Sequence, residues 1–197
     1  MLRKLRRTGE LLIIADDKAQ KAFKPYVHSP LVRALELFSK LGDQPELRLI
    51  AGGLIVAGTF GGSERLVRAG ARMMLAHEAA TLAKDSVKIN VDRTRPRSAD
   101  DRREKKPKKG KHTAKEKTSF PSGHSAGAIA AARAFSREYP EYRAMAIGAA
   151  TLVALSQIPR CAHYPTDVAA GLSIGLVAEA ATNAAWDALK MNERSRT

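Results

Sequence analysis

The chain has 197 residues, with 34 Lys/Arg against 20 Asp/Glu and a formal charge of +14. That length suits one domain with a buried core, and that charge points to anionic partners: nucleic acid, acidic lipid head groups or phosphorylated substrates. A single cysteine, Cys161, excludes an internal disulfide and a cysteine-based zinc site, and aromatics at 5%, none interleaved with the basic clusters, argue against a single-strand stacking surface.

The N-terminal "MLRKLRRTGELLIIADD" is basic, but its apolar run spans only residues 11–15. That is too short for the core of a secretory signal, so no cleaved leader is expected. Residues 1–45 read as a basic and amphipathic lead-in, with one short amphipathic stretch at 31–41. Five helical stretches follow at 46–60, 63–87, 122–138, 143–158 and 167–189. Each is rich in Ala, Leu, Ile, Val and Gly at helical spacing, and none alternates like a strand. The predicted fold is an all-α helical bundle of about five core helices, a single helical domain over 46–190 with a tail at 191–197.

Between the second and third stretches lies "RSADDRREKKPKKGKHTAKEKT" (97–118), with ten Lys/Arg, four Asp/Glu and no large apolar residue. It reads as a solvated, mobile basic loop. The loop carries +6, so the rest of the chain still carries +8. Whether the bundle sits in a membrane is not settled by pattern. The apolar stretches are shorter than the ~20 residues of a spanning helix, and Arg133, Glu179 and Asp187 interrupt them. Alanine and glycine suit close helix packing in lipid and in a tight soluble bundle alike.

Three short segments look like parts of one anion site. In "KINVDRTRPR", Lys88 and Arg95, followed by Pro96, can converge on one phosphate, the arginine through its planar fork and the lysine as a point charge. In "SFPSGHSAGA", Ser122 is a good N-cap, Gly123 leaves the backbone approachable at a helix N-terminus, and His124 projects toward a bound anion. In "PRCAHYPTDVAAG", Pro165 and Thr166 open a helix and Asp167 falls in its first turn. There the carboxylate can hydrogen-bond one ring nitrogen of His163 and leave the other as nucleophile or base. Each segment has a plainer reading alone: a helix end running into a basic loop, an ordinary cap, a capping hydrogen bond. Together they supply what phosphoryl transfer without a metal needs. His77 and Glu78 lack partners at metal-ligand spacing, so neither metal nor other cofactor is expected.

The set "K…RP" (Lys88, Arg95, Pro96), "PSGH" (121–124) and "HYPTD" (163–167) resembles the type 2 phosphatidic acid phosphatase superfamily, which also includes bacterial acid phosphatases and vanadium haloperoxidases. The resemblance spans about residues 46–189. It implies a metal-independent phosphatase acting on a lipid phosphate or pyrophosphate. In that reading His163 forms a phosphohistidine, Asp167 orients it, His124 is the general acid, and Lys88, Arg95, Ser122 and Gly123 hold the phosphate. It also implies a multi-pass protein of the cell membrane with its site facing away from the cytoplasm, and no nucleic acid partner. The basic loop on the same face pulls the orientation the other way through the positive-inside tendency. One departure stands out. The family's third segment normally reads Ser-Arg, five residues, then His, whereas here Gln157 follows Ser156. Glutamine brings no charge and no fork, and Arg160, about one helical turn on, is the expected substitute. Two other functions remain open: a vanadate-using haloperoxidase chemistry in the same pocket, and a non-catalytic binder of anionic membrane or nucleic acid through the basic loop.

Overall fold

The computed structural model describes residues 2–100 and 104–194. Two helices, α1 (Leu2–Phe23) and α2 (Pro30–Ser39), lead into a bundle of five. These are α3 (Gln44–Phe60), α4 (Glu64–Lys88), α5 (Gly123–Glu138), α6 (Arg143–Ser156) and α7 (Pro165–Arg194). The class is all-α, and the five core helices fall close to the stretches read from the sequence. Two short strands, β1 (Val91–Asp92) and β2 (Lys108–Lys109), pair antiparallel with Val91 opposite Lys109.

The helix starts follow local chemistry. The Ser29, Ser63 and Ser122 hydroxyls accept from the backbone N–H groups of Val32, Leu66 and Ser125, capping α2, α4 and α5. Gly62, with φ of +68°, makes the reversal between α3 and α4. α5 runs through the middle, packed against α4, α6 and α7. Small residues allow that crowding: Ala69, Ala76 and Ala80 of α4 and Ala126, Ala130 and Ala134 of α5 are almost fully buried. Where α7 crosses α5, a Cβ on Gly171 or Gly175 would lie 2.3 Å from the carbonyl oxygen of Ser122 or Ala126. Any side chain there would push α7 off the turn that carries the PSGH segment.

Charges that interrupt the apolar stretches are resolved by pairing between helices. Glu179, 1% exposed, accepts from Arg133 Nε at 2.8 Å and Arg137 Nε at 2.9 Å. Asp187 pairs with Arg72, which also reaches Glu138 at 2.9 Å and the side-chain oxygen of Asn183. The outer faces are consequently apolar: Leu49, Phe60, Leu82, Met145 and Val177 are all largely exposed. Among the described residues one helix segment, Pro165–Leu189, is long and apolar enough to cross a membrane, with a mean hydropathy of 1.3.

Two regions differ from the sequence reading. Helix α1 was not anticipated because its amphipathicity is inverted. Asp16, Asp17 and Gln20 are buried against the protein, while Leu11, Leu12 and Ile14 face outward. The basic loop is largely exposed over its described residues, 97–100 and 104–118, as its composition implied, but it is tethered to the site at a few points. Lys105 is buried on Asp17 at 2.6 Å, and the carbonyls of Glu116 and Lys117 accept from the backbone N–H groups of Arg95 and Arg93. Backbone acceptors do this work, so the loop's polar composition gave no hint of it. Loop residues 101–103 and tail residues 195–197 lie outside the described residues.

Candidate active site

The N-termini of α3, α5 and α7 and the C-termini of α4 and α6 meet at one end of the bundle. There they surround an open pocket of about 490 Å³, whose wall includes Lys88, Arg95, Gly123, His124 and His163. Five of the eight site residues named from the sequence therefore share one cavity. Ser122 lies beneath it, its hydroxyl accepting from Ser125. Asp167 lies behind His163, and Arg160 is elsewhere.

His163 is placed by the turn after α6. The carbonyl of Gln157 accepts from both Ala162 N at 3.1 Å and His163 N at 3.2 Å. The turn passes through Cys161 with a left-handed φ of 48°, a conformation a non-glycine residue adopts only when its surroundings enforce it. His163 is 2% exposed, with Nδ1 2.6 Å from the Ser119 carbonyl and 3.8 Å from Asp167 Oδ2. A carbonyl oxygen can only accept, so the proton resides on Nδ1 and the Nε2 lone pair is left for the pocket. The tautomer is thus fixed by Ser119 rather than by a direct carboxylate bond, with Asp167 as a second, electrostatic partner. Ser119 also donates through Oγ to Asp167 Oδ2 at 2.5 Å, and the Tyr164 N–H donates to the same oxygen at 2.9 Å. Burial, joined by the Arg95 and Lys88 cations and opposed by Asp167, pushes His163 down to about 4. It is therefore a neutral imidazole over most of the pH range.

His124 stands in the first turn of α5, with Nε2 2.6 Å from Asp43 Oδ1. Asp43 occupies the N-cap position of α3 yet makes no side-chain cap bond there, because its carboxylate turns to the histidine. Burial first of all, then His163 and the Arg160, Arg95 and Lys88 cations, push His124 down to about 3. The carboxylate at hydrogen-bond distance and an incoming phosphate dianion act the other way. Asp43 itself is raised from its ordinary value by burial and by Glu46.

The cations are held in place. Arg95 donates through Nε to the Lys115 carbonyl at 2.7 Å and through Nη1 to the Ala162 carbonyl at 3.2 Å. Burial and the nearby Lys84 push Lys88 down to about 8. A Cβ on Gly123 would lie 3.2 Å from the Lys84 side chain, a tight contact that the lysine stem would have to yield to. Lys84 and, from the basic loop, Lys115 line the same pocket. The sequence reading missed both, although Lys84 lies one helical turn before Lys88 and shares its face.

Gln157 and Arg160 are not part of the pocket wall. Gln157 is fully buried, its amide donating to the Val153 carbonyl at 3.0 Å. Arg160 turns to α2, donating to Ser39 Oγ and reaching Glu36 at 3.2 Å. Among the described residues no cluster of three or more His, Cys, Asp or Glu could hold a metal ion.

A helical bundle that brings the three motif segments, in this order, to one end is the arrangement of a PAP2-type fold. The chain belongs to the PAP2 superfamily, whose family model matches residues 66–190. It is similar to proteins named lipid A 1-phosphatase from Rhizobium etli and Rhizobium johnstonii, at 44% identity over 57 residues in each case. That match covers 29% of this chain, and the chain spans only about a quarter of the length of these curated relatives, 25% and 23%. Among solved structures it resembles Aquifex aeolicus LpxE, with a TM-score of 0.56 and 20% identity over 82% of this chain and 90% of that one. It is also similar to a transmembrane PAP2-type phosphatidylglycerolphosphate phosphatase from Bacillus subtilis, with a TM-score of 0.44 and 22% identity over 89% of this chain and 96% of that one.

Proposed function

We propose that the chain is a phosphatase that hydrolyses a lipid phosphate or pyrophosphate through a phosphohistidine at His163. One observation carries this reading: a neutral histidine with its outward nitrogen unprotonated shares a cavity with a second histidine, Lys84, Lys88 and Arg95. The cations and the α5 N-terminus bind the phosphoryl oxygens. His163 Nε2 attacks phosphorus in line as the P–O bond to the leaving group breaks, and His124 gives its proton to the departing oxygen. His124 then takes a proton from water, which attacks phosphorus and breaks the P–N bond. Inorganic phosphate leaves, and His163 regains its lone pair. Asp43, within hydrogen-bond distance of His124 Nε2, orients the acid and offsets its positive charge.

A lipid substrate is supported by what adjoins the pocket. An apolar groove of about 290 Å³ runs between α3, α5 and α6, lined by Phe38, Leu41, Leu47, Ile50 and Leu54 among others. It begins beside Gly42 and Glu46 of the phosphate pocket and offers a hydrocarbon chain a nearly unbroken apolar wall. The exposed apolar outer faces and the α7 segment support membrane embedding, with the site at head-group level beyond the lipid-facing parts of the helices. The proposed protein is multi-pass with its site facing away from the cytoplasm. The basic loop weighs less against this than its composition suggests, because Lys105 is paired and Lys115 serves the pocket.

The test is phosphate release from a panel of lipid phosphates in detergent with chelator present. Wild type turns over and His163→Ala does not. Activity that survives the substitution, or that the chelator removes, overturns the mechanism. Labelling of Lys108→Cys on intact cells with a membrane-impermeant maleimide tests the orientation, and protection of that site from the reagent would reverse it.

A further inference from the structure

Behind His163 lies a buried network that the scheme above leaves unused. Arg93 heads the largest fully buried side chains among the described residues. Its guanidinium is spent completely inside the protein. Nε donates to the Lys105 carbonyl at 2.7 Å, Nη1 to Thr166 Oγ1 at 2.7 Å and to Asp167 Oδ1, and Nη2 to Asp16 Oδ2 at 2.6 Å. Its Cζ lies 4.0 Å from the centre of the Tyr164 ring. Asp16 adds a second tie, accepting from the Thr166 backbone N–H at 3.1 Å and its hydroxyl at 2.5 Å.

We infer that Arg93 and Asp16 are positioning residues for the catalytic pair, holding the Asp167 carboxylate in place and offsetting its charge, so that α1 is a working part of the active site. The claim rests on the reading of His163 as nucleophile. Asp16 lies outside the residues that the family model matches, 66–190. The physical case is one of balance. Asp167 Oδ2 faces His163 at 3.8 Å, and a buried carboxylate left to itself would draw a proton onto that ring. Arg93 on Oδ1 neutralises it, and Asp16 fixes the fork of Arg93 in the orientation that reaches Oδ1. The other titratable and charged groups of the pocket that His163 lines are Lys84 and Lys88 of α4, Arg95 from the following loop, Lys115, His124 of α5, and Asp43 and Glu46 at the start of α3.

A plainer role, anchoring α1 to the bundle, is separable because α1 has other anchors. Asp17 binds Lys105 at 2.6 Å, and Gln20 donates to the carbonyls of Pro96 and Ala99, with no contact to Asp167. The test compares Arg93→Gln, Arg93→Lys, Asp16→Asn and Asp17→Asn in the full chain in detergent. Two quantities are measured: the pH dependence of kcat/KM for a soluble phosphate monoester, and the titration of the His163 ring by NMR in histidine-labelled protein. Removing the Arg93 charge leaves Asp167 unbalanced. Arg93→Gln therefore moves the His163 titration and the acid limb of the rate profile up by about one pH unit, with kcat down about tenfold and KM within about twofold. Arg93→Lys keeps the charge but loses the fork, so kcat falls with little change in titration. Asp16→Asn removes a negative charge and moves the titration slightly down while lowering kcat. Asp17→Asn leaves the titration and the profile in place. An unmoved titration in both Arg93→Gln and Asp16→Asn overturns the proposal, as does an Asp17→Asn shift as large as that of Asp16→Asn. If wild type released no phosphate, the phosphatase reading would fail, while the NMR titration would still decide the positioning role. Should Arg93→Gln not fold, the Asp16→Asn and Asp17→Asn pair decides by the same measurement.

Discussion

At the end of the bundle far from the pocket, Arg72, Arg133 and Arg137 are each closed off by a carboxylate from a neighbouring helix. At the pocket end, Arg95 is held by two backbone carbonyls, and Lys88 stands in the wall of an open cavity beside Lys84, which alone of these three pairs with a carboxylate, that of Asp85. The residue types are the same and the outcome is opposite. At the far end a guanidinium bonded to carboxylates is electrostatically complete and serves packing between helices. One fixed by carbonyls keeps its full charge in a rigid position, which is what anion binding requires. Buried charge in this protein is therefore read by the partner, and by whether that partner neutralises or only orients it.

The contrast can be broken at its strongest point first. His163→Ala at the pocket end abolishes phosphate release while leaving the thermal unfolding midpoint in detergent close to wild type. Glu179→Gln at the far end does the reverse: it strands two arginines, costs about 2 kcal/mol of stability and leaves kcat within about twofold. If Glu179→Gln silenced the enzyme without destabilising it, the division between the ends would be wrong. The next largest effect is at the acid. His124→Ala lowers kcat by about 10²- to 10⁴-fold, and Asp43→Asn by about tenfold with an altered pH profile, measured on a lipid phosphate and on a soluble ester.

The pH profile sharpens the same point. His163, at about 4, must be unprotonated to attack, so kcat/KM falls below about pH 4. Lys88, at about 8, must be protonated to hold phosphate, so KM rises as pH passes about 8. A Lys88→Met variant raises KM at neutral pH and loses the alkaline limb. The smallest expected contrast lies between two other cations. Lys84→Met raises KM about tenfold, the equivalent of one charge-assisted contact, whereas Arg160→Ala, whose guanidinium faces α2, stays within about threefold. A larger loss for Arg160 than for Lys84 would restore Arg160 as the stand-in for the arginine absent at Gln157.

Much of this was legible in the chain. The 3.6-residue recurrence of small apolar residues located the five core helices, because a helix must bury a stripe wherever it packs. The motif residues Lys88, Arg95, Gly123, His124 and His163 were legible because their chemistry is specific to side-chain type. Lys84 and Lys115 were not, since a lysine on a helix or in a basic loop carries no mark of what it faces. α1 was illegible for a different reason: its inward face is polar, so a reading that expects apolar residues inside finds nothing there.

Sequence alone determined the helical class, the cap at Ser122, and the identity of the groups proposed for phosphoryl chemistry. These are local or periodic properties of the chain. Tertiary structure decided which partner each charged group meets. It gave the Nδ1 proton of His163 to the Ser119 carbonyl, turned Asp43 from its own helix to His124, and sent Arg160 to α2. It also placed Arg93 between Asp16 and Asp167, residues 151 positions apart in the chain. Hydrogen bonds and ion pairs act over a few ångströms, and only the fold sets which groups come that close.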